Sequence, residues 1–125
     1  MSEQTILAID FGTRRIGVAI SRGSLAEPLS ILENDEQTIA KIQKIIEQEM
    51  VKKIVLGISE NEMAEKTRQF ATQIRKTINL PLDFFDETLS SYTVHQKLQT
   101  ASKTKRGQPV DHYAAAEFLQ EYLDS

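Results

Sequence analysis

Apolar and polar positions follow two periods along this chain, and the switches between them predict its elements. "TILAIDFG" (5–12) and "RIGVAISR" (15–22) are β-branched apolar runs with little more than Thr13-Arg14 between them. A join that short requires an antiparallel hairpin, because a parallel pair needs a long crossover. "GSLAE" supplies the next turn and "PLSILE" (28–33) a third strand. The period then changes. In "NDEQTIAKIQKIIEQEM" (34–50), Ile39, Ile42, Ile46 and Met50 share one helical face with Ile45 beside them, and Asn34 with Gln37 reads as a capping box. "KKIVLGIS" (52–59) has no helical period and reads as a buried strand. "NEMAEKTRQFATQIRKTI" (61–78) is helical, with Thr67, Phe70, Ala71, Ile74 and Ile78 facing inward. "LPLDFFDE" (80–87) predicts a fifth strand ending in paired carboxylates, and "SSYTVHQKLQTA" (90–101) a further helix. After the loop "SKTKRGQP" (102–109), "PVDHYAAAEFLQEYL" (109–123) closes the chain as a helix burying Ala114, Ala115, Phe118, Leu119 and Tyr122.

The resulting order, βββ-α-β-α-β-α-α, is an α/β arrangement in one domain, residues 1–125. Three hairpin-linked antiparallel strands precede two β-α units, so the sheet is five-stranded and mixed, with helices on its faces. Right-handed crossovers set strands four and five beside strand one and predict the order 3-2-1-4-5.

Composition narrows the chemistry. Hydrophobic residues at 40% and charged residues at 26% suit a globular domain. The absence of cysteine excludes disulfides, thiolate metal sites and a Cys nucleophile, and the two histidines, His95 and His112, are too few for a His-rich centre. Any metal would be a hard one held by oxygen. No run approaches the roughly 18 apolar residues of a membrane span, and no signal peptide is recognisable, so a soluble cytoplasmic protein is expected, as a monomer or weak homodimer. The net charge of −3 disfavours a nonspecific nucleic-acid coat. It leaves room for local basic patches at Arg14, Arg15 and Arg22 and at Lys103, Lys105 and Arg106.

In the expected sheet strand one is central, and ligands of open sheets gather beyond the carboxyl ends of the strands. Asp10 ends strand one, Ser59-Glu60 strand four and Asp86-Glu87 strand five, while Asp111 opens the last helix. Each has a plainer use: Asp10 as a turn residue bonding nearby amides, Asp86-Glu87 as an edge-strand terminus, Asp111 as a carboxylate facing a helix dipole. Together they form a convergent set whose mutual repulsion a cation would relieve. Oxygen ligands of this kind suit Mg²⁺ or Mn²⁺, and two ions about 4 Å apart can clamp both oxygens of a phosphodiester under attack.

"AIDFGTRRIGVAIS", "IVLGI", "EKTRQFATQI", "DETLSS" and "KRGQPVDHYAAAEFLQEYL" together resemble the YqgF (RuvX) family, small bacterial proteins related to the RuvC junction resolvases. The resemblance implies an RNase H-like fold and a metal-dependent nuclease maturing the 5′ end of pre-16S rRNA, with the small-subunit precursor as a partner. Branched DNA is the alternative substrate, and a catalytically weak nucleic-acid-binding module the alternative role. By motif position it implies Asp10, Glu87 and Asp111 as catalytic, metal-holding residues binding Mg²⁺ or Mn²⁺. Arg14, Arg15, Lys105 and Arg106 would then position structured RNA. The chain has Thr88 where the family carries Arg, and its loop after strand four lacks the family's Pro and later glycines. Asp-x-Gly-Thr also opens the phosphate-binding hairpin of actin-like ATPases, but those need a second domain.

Overall fold

The computed structural model describes residues 4–58, 63–86 and 111–124. Its strands are β1 (Ile6–Asp10), β2 (Arg15–Ser21), β3 (Ala26–Glu33), β4 (Lys53–Ile58) and β5 (Leu82–Asp86). Its helices are α1 (Thr38–Glu49), α2 (Met63–Thr77) and α3 (Asp111–Asp124). The sheet order is β3-β2-β1-β4-β5, as the connection rules require. β1 pairs antiparallel with β2 and parallel with β4, and β4 pairs parallel with β5. The helix expected over 90–101 and the loop 102–109 fall outside the described residues.

Alternation along β1 divides the core in two. Leu7 and Ile9 pack with Ile16, Val18, Ile54 and Leu56 beneath α1 and α2, where Ile42, Phe70 and Ile74 close the layer. Ile6 and Ala8 face the other way, with Ala19 and Val55, against Ala115, Phe118 and Leu119 of α3. Leu7, Ala8 and Ile9 are wholly buried, so the central strand is apolar on both faces. Each large side chain fully removed from water contributes about 1.5–3 kcal/mol. The inward faces expected for α2 and α3 are the observed ones, except that Tyr122 is only half-buried at the edge of the layer. Among the described residues, no helix is long and apolar enough to cross a membrane.

Three local expectations are corrected. β1 stops at Asp10, as expected, but β3 begins two residues early, at Ala26. α1 begins at Thr38, and Asn34 does not cap it. Instead Thr38 is buried, its hydroxyl donating to the Glu33 carbonyl at 2.9 Å and accepting from the Asp35 amide at 2.8 Å. The Asp35 carboxylate accepts from the Gln37 amide at 2.9 Å, completing a tight entry turn that competes with a longer helix. Met50 leaves the apolar face and is exposed, because it ends α1 in the left-handed conformation (φ 58°, ψ 47°). That turn lets the Val51 amide donate to the Ile46 carbonyl at 3.0 Å and buries Val51.

Candidate active site

The carboxyl ends of β1, β4 and β5 lie together at one end of the sheet, because all three strands run parallel. Asp10 closes β1 on the face that α3 covers, by alternation from Ile6 and Ala8. Its antiparallel partner is Gly17, and the β1–β4 register, Ile9 with Leu56, brings Gly57 alongside it. No side chain therefore rises from either neighbouring strand at that level. Asp10 itself is half-buried.

The hairpin beyond Asp10 is held by contacts that no sequence period announces. A Cβ at Gly12 would lie 2.4 Å from the Arg15 carbonyl oxygen, so only glycine lets the chain reverse there. Asn34 binds the same loop twice, its Nδ2 donating to the Gly12 carbonyl at 2.7 Å and its backbone amide to the Arg14 carbonyl at 2.9 Å. Asn34 is the residue sequence reasoning misassigned. Its role is to fix the turn that carries Arg14 and Arg15, both exposed and, among the described residues, in no ion pair. Arg22 does not join them. It follows β2 at the opposite end of the sheet and pairs there with Glu49 of α1.

α3 runs from the Asp10 end of the sheet to the opposite end. Near its C-terminus Gln120 accepts from the Ala26 amide at 2.9 Å and donates to the Ser24 carbonyl at 2.9 Å, at the start of β3. Fourteen residues of helix rise about 20 Å, so Asp111 opens α3 toward the end where β1 stops. Glu87, Lys105 and Arg106 lie outside the described residues, as does the side chain of Asp111. Asp86 ends β5 as expected. Among the described residues, no three potential metal-ligating side chains gather. What the chain offers a metal is carboxylate oxygen without thiolate, a donor set that fits a hard divalent cation.

At the other end of the sheet Lys53, Asp83 and Tyr122 tie β4, β5 and α3 together. The Lys53 ammonium lies 2.9 Å from the Asp83 carboxylate, which also accepts from the Tyr122 hydroxyl at 2.8 Å. The hydrogen bond from Lys53, then that from Tyr122, holds the Asp83 pKa below the ordinary carboxylate value. Tyr122, then Asp83, raises that of Lys53. This cluster is structural, a sheet's length from Asp10.

The RuvX family model, described as a Holliday junction resolvase, matches residues 4–125. A Koribacter versatilis protein described as a candidate pre-16S rRNA nuclease is 35% identical, over 95% of this chain and 86% of its own. One from Chloroflexus aggregans, described in the same words, is 34% identical over 100% and 96%. Among solved structures, T. thermophilus RuvC in complex with a Holliday junction superposes with a TM-score of 0.63 at 14% identity, covering 97% of this chain and 94% of that one. The Fowlpox virus resolvase with junction DNA gives 0.55 at 13% identity, over 98% and 100%. The architecture is thus the RNase H-like fold.

Proposed function

The chain belongs to the RuvX family, and from that membership we propose that it is a metal-dependent endonuclease hydrolysing phosphodiester bonds in 5′-end maturation of pre-16S rRNA. The observation that carries the reading is Asp10, held half-buried at the end of the central strand between two glycine positions. Glycine at both neighbouring strand positions adds no side-chain bulk beside that carboxylate, which suits the approach of a cation and a phosphate. Asp10 acts with Glu87 and Asp111, whose carboxylates complete the set that would hold Mg²⁺ or Mn²⁺. When bound, the cation supplies charge neutralisation at the phosphate and lowers the pKa of attacking water. Asp10 orients that charge from a rigid strand. The Asn34-braced hairpin presents Arg14 and Arg15 to the backbone, with Lys105 and Arg106 as further phosphate contacts. Water adds across a P–O bond, leaving one phosphate and one hydroxyl terminus.

The ribosomal substrate is favoured by the relatives at 34–35% identity. The likeness to RuvC supports the second reading, cleavage of branched DNA. An assay with Mg²⁺ or Mn²⁺ should compare 5′-extended ribosomal RNA, a four-way DNA junction and linear controls. We expect cleavage of the RNA precursor. Cleavage of the junction alone overturns the ribosomal assignment, and binding without cleavage of any substrate overturns the enzymatic one.

A further inference from the structure

On the opposite face of the sheet from Asp10, but at the same end, a cleft of about 290 Å³ is lined by Phe11, Asn34, Lys66, Gln69, Phe70 and Gln73. We propose that this cleft binds one unpaired nucleotide of the substrate strand, by stacking on Phe11 and hydrogen bonding to the α2 amides. The inference rests on the reading that the chain acts on nucleic acid, and it adds the requirement that the strand be unpaired beside the cut.

The lining has the chemistry of a base site. Phe11 is half-buried and is braced by Phe70, with ring centroids 4.8 Å apart and planes tilted by 38°. Such support presents an aromatic surface without leaving the side chain free to collapse. Gln69 and Gln73 stand exposed on one stripe of α2, each with a donor and an acceptor, the pair of functions a base edge offers. Asn34 commits its Nδ2 to the Gly12 carbonyl and keeps its Oδ1 as an acceptor. Lys66 supplies one cation, and none of the described lining residues is acidic, which suits an anionic ligand. The volume is near the lower bound of ligand pockets, about 300 Å³, enough for a base and its sugar. A larger cavity of about 390 Å³ between β3 and α1 has no aromatic lining residue and includes Glu49, so it lacks this character.

Position strengthens the assignment. Phe11 follows Asp10 directly, their Cα atoms about 3.8 Å apart across a trans peptide, with side chains on opposite faces. A strand crossing the end of β1 can thus leave its phosphate on the Asp10 side and turn its neighbouring base into the Phe11 cleft. Paired bases cannot do this without leaving their stack.

Binding without divalent ions separates this proposal from catalysis. Labelled single-stranded RNA, single-stranded DNA of the same sequence and a fully paired duplex should be titrated with wild type, with Phe11→Leu and with Gln69→Ala/Gln73→Ala. Loss of a stacked base weakens binding about 5- to 150-fold, so Phe11→Leu should lower affinity for at least one single strand by that factor and spare the duplex. The double glutamine variant should show a smaller loss in the same direction. Preference between the RNA and DNA arms identifies the strand. Failure of wild type to bind either single strand, unchanged single-strand affinity in both variants, or an equal loss on the duplex overturns the proposal. If Phe11→Leu loses its thermal transition, the glutamine variant, confined to an exposed helix stripe, decides alone.

Discussion

In the proposed site Asp10, Gly12 and Asn34 divide one task among three residue types: a charge, a turn without a side chain, and an amide that ties the turn down. Asp10 was legible in the sequence because a carboxylate ending an apolar run is conspicuous. Asn34 was not, since twenty-two positions separate it from Gly12 and its place before a helical run suggested a cap. Asp10→Asn keeps the side chain's size and removes the charge that the proposed metal site requires. Cleavage should fall a thousandfold or more, about 4 kcal/mol of transition-state stabilisation, while the thermal transition persists. Activity near wild type in a cleavage assay would place the chemistry elsewhere. Gly12→Ala sets a methyl 2.4 Å from the Arg15 carbonyl oxygen, a contact real structures do not tolerate. Relief by backbone shift costs about 1–3 kcal/mol, and the urea midpoint should drop accordingly. An unchanged midpoint would mean that the hairpin yields without strain.

At the scale of elements, the inward faces of α2 and α3 were readable because burial follows the 3.6-residue period. The ends of α1 were not. Its start is set by side-chain bonds around Thr38, and its end by a left-handed turn at Met50, and neither is a matter of hydrophobic period. Met50 is 68% exposed, so its side chain offers little to offset the conformational cost. Met50→Gly should stabilise the fold by about 1 kcal/mol and raise Tm by about 4 °C, read by thermal melting. A lower Tm would show that Met50 packs in a way its exposure does not reveal. The tie between β4, β5 and α3 predicts a pH effect of definite sign. Asp83 has a depressed pKa in the fold. Its contribution is present above the unfolded value of about 3.9 and is lost as pH falls through the folded one. Lys53, with its raised pKa, contributes below about 10.4 and loses that contribution as pH rises through its folded value. Both side chains are partly solvated, Asp83 52% exposed, so the pair is worth less than about 1 kcal/mol. Asp83→Asn should therefore lower stability at neutral pH by less than about 1 kcal/mol, converge with wild type at the acid end, and so flatten the acid limb slightly. An acid limb as steep as wild type's would assign that slope to other carboxylates.

For the whole molecule, the sheet order followed from two rules, short joins making hairpins and right-handed crossovers returning strands beside β1, so topology was legible before any contact was known. The Phe11 cleft was not, because Phe11 and Phe70 are far apart in sequence and only the packing of α2 on β1 brings them together. The same contrast governs charge. A chain of net charge −3 repels nucleic acid at long range, so its contacts must be local. Arg14 and Arg15 sit at the Asp10 end, whereas Arg22 sits at the far end and is neutralised by Glu49. If the first pair meets the phosphate backbone, each arginine releases counterions on binding. Arg14→Gln/Arg15→Gln should then reduce the slope of log affinity against log salt by about 1.4 on a single strand, 0.7 for each phosphate. Arg22→Gln, equal in charge loss per residue but remote from the site, should leave the slope unchanged. Titrations from about 50 to 200 mM salt cover the range in which such contacts are strongly screened. A slope altered equally by Arg22→Gln would mean that overall charge, rather than the Asn34-braced hairpin, governs binding.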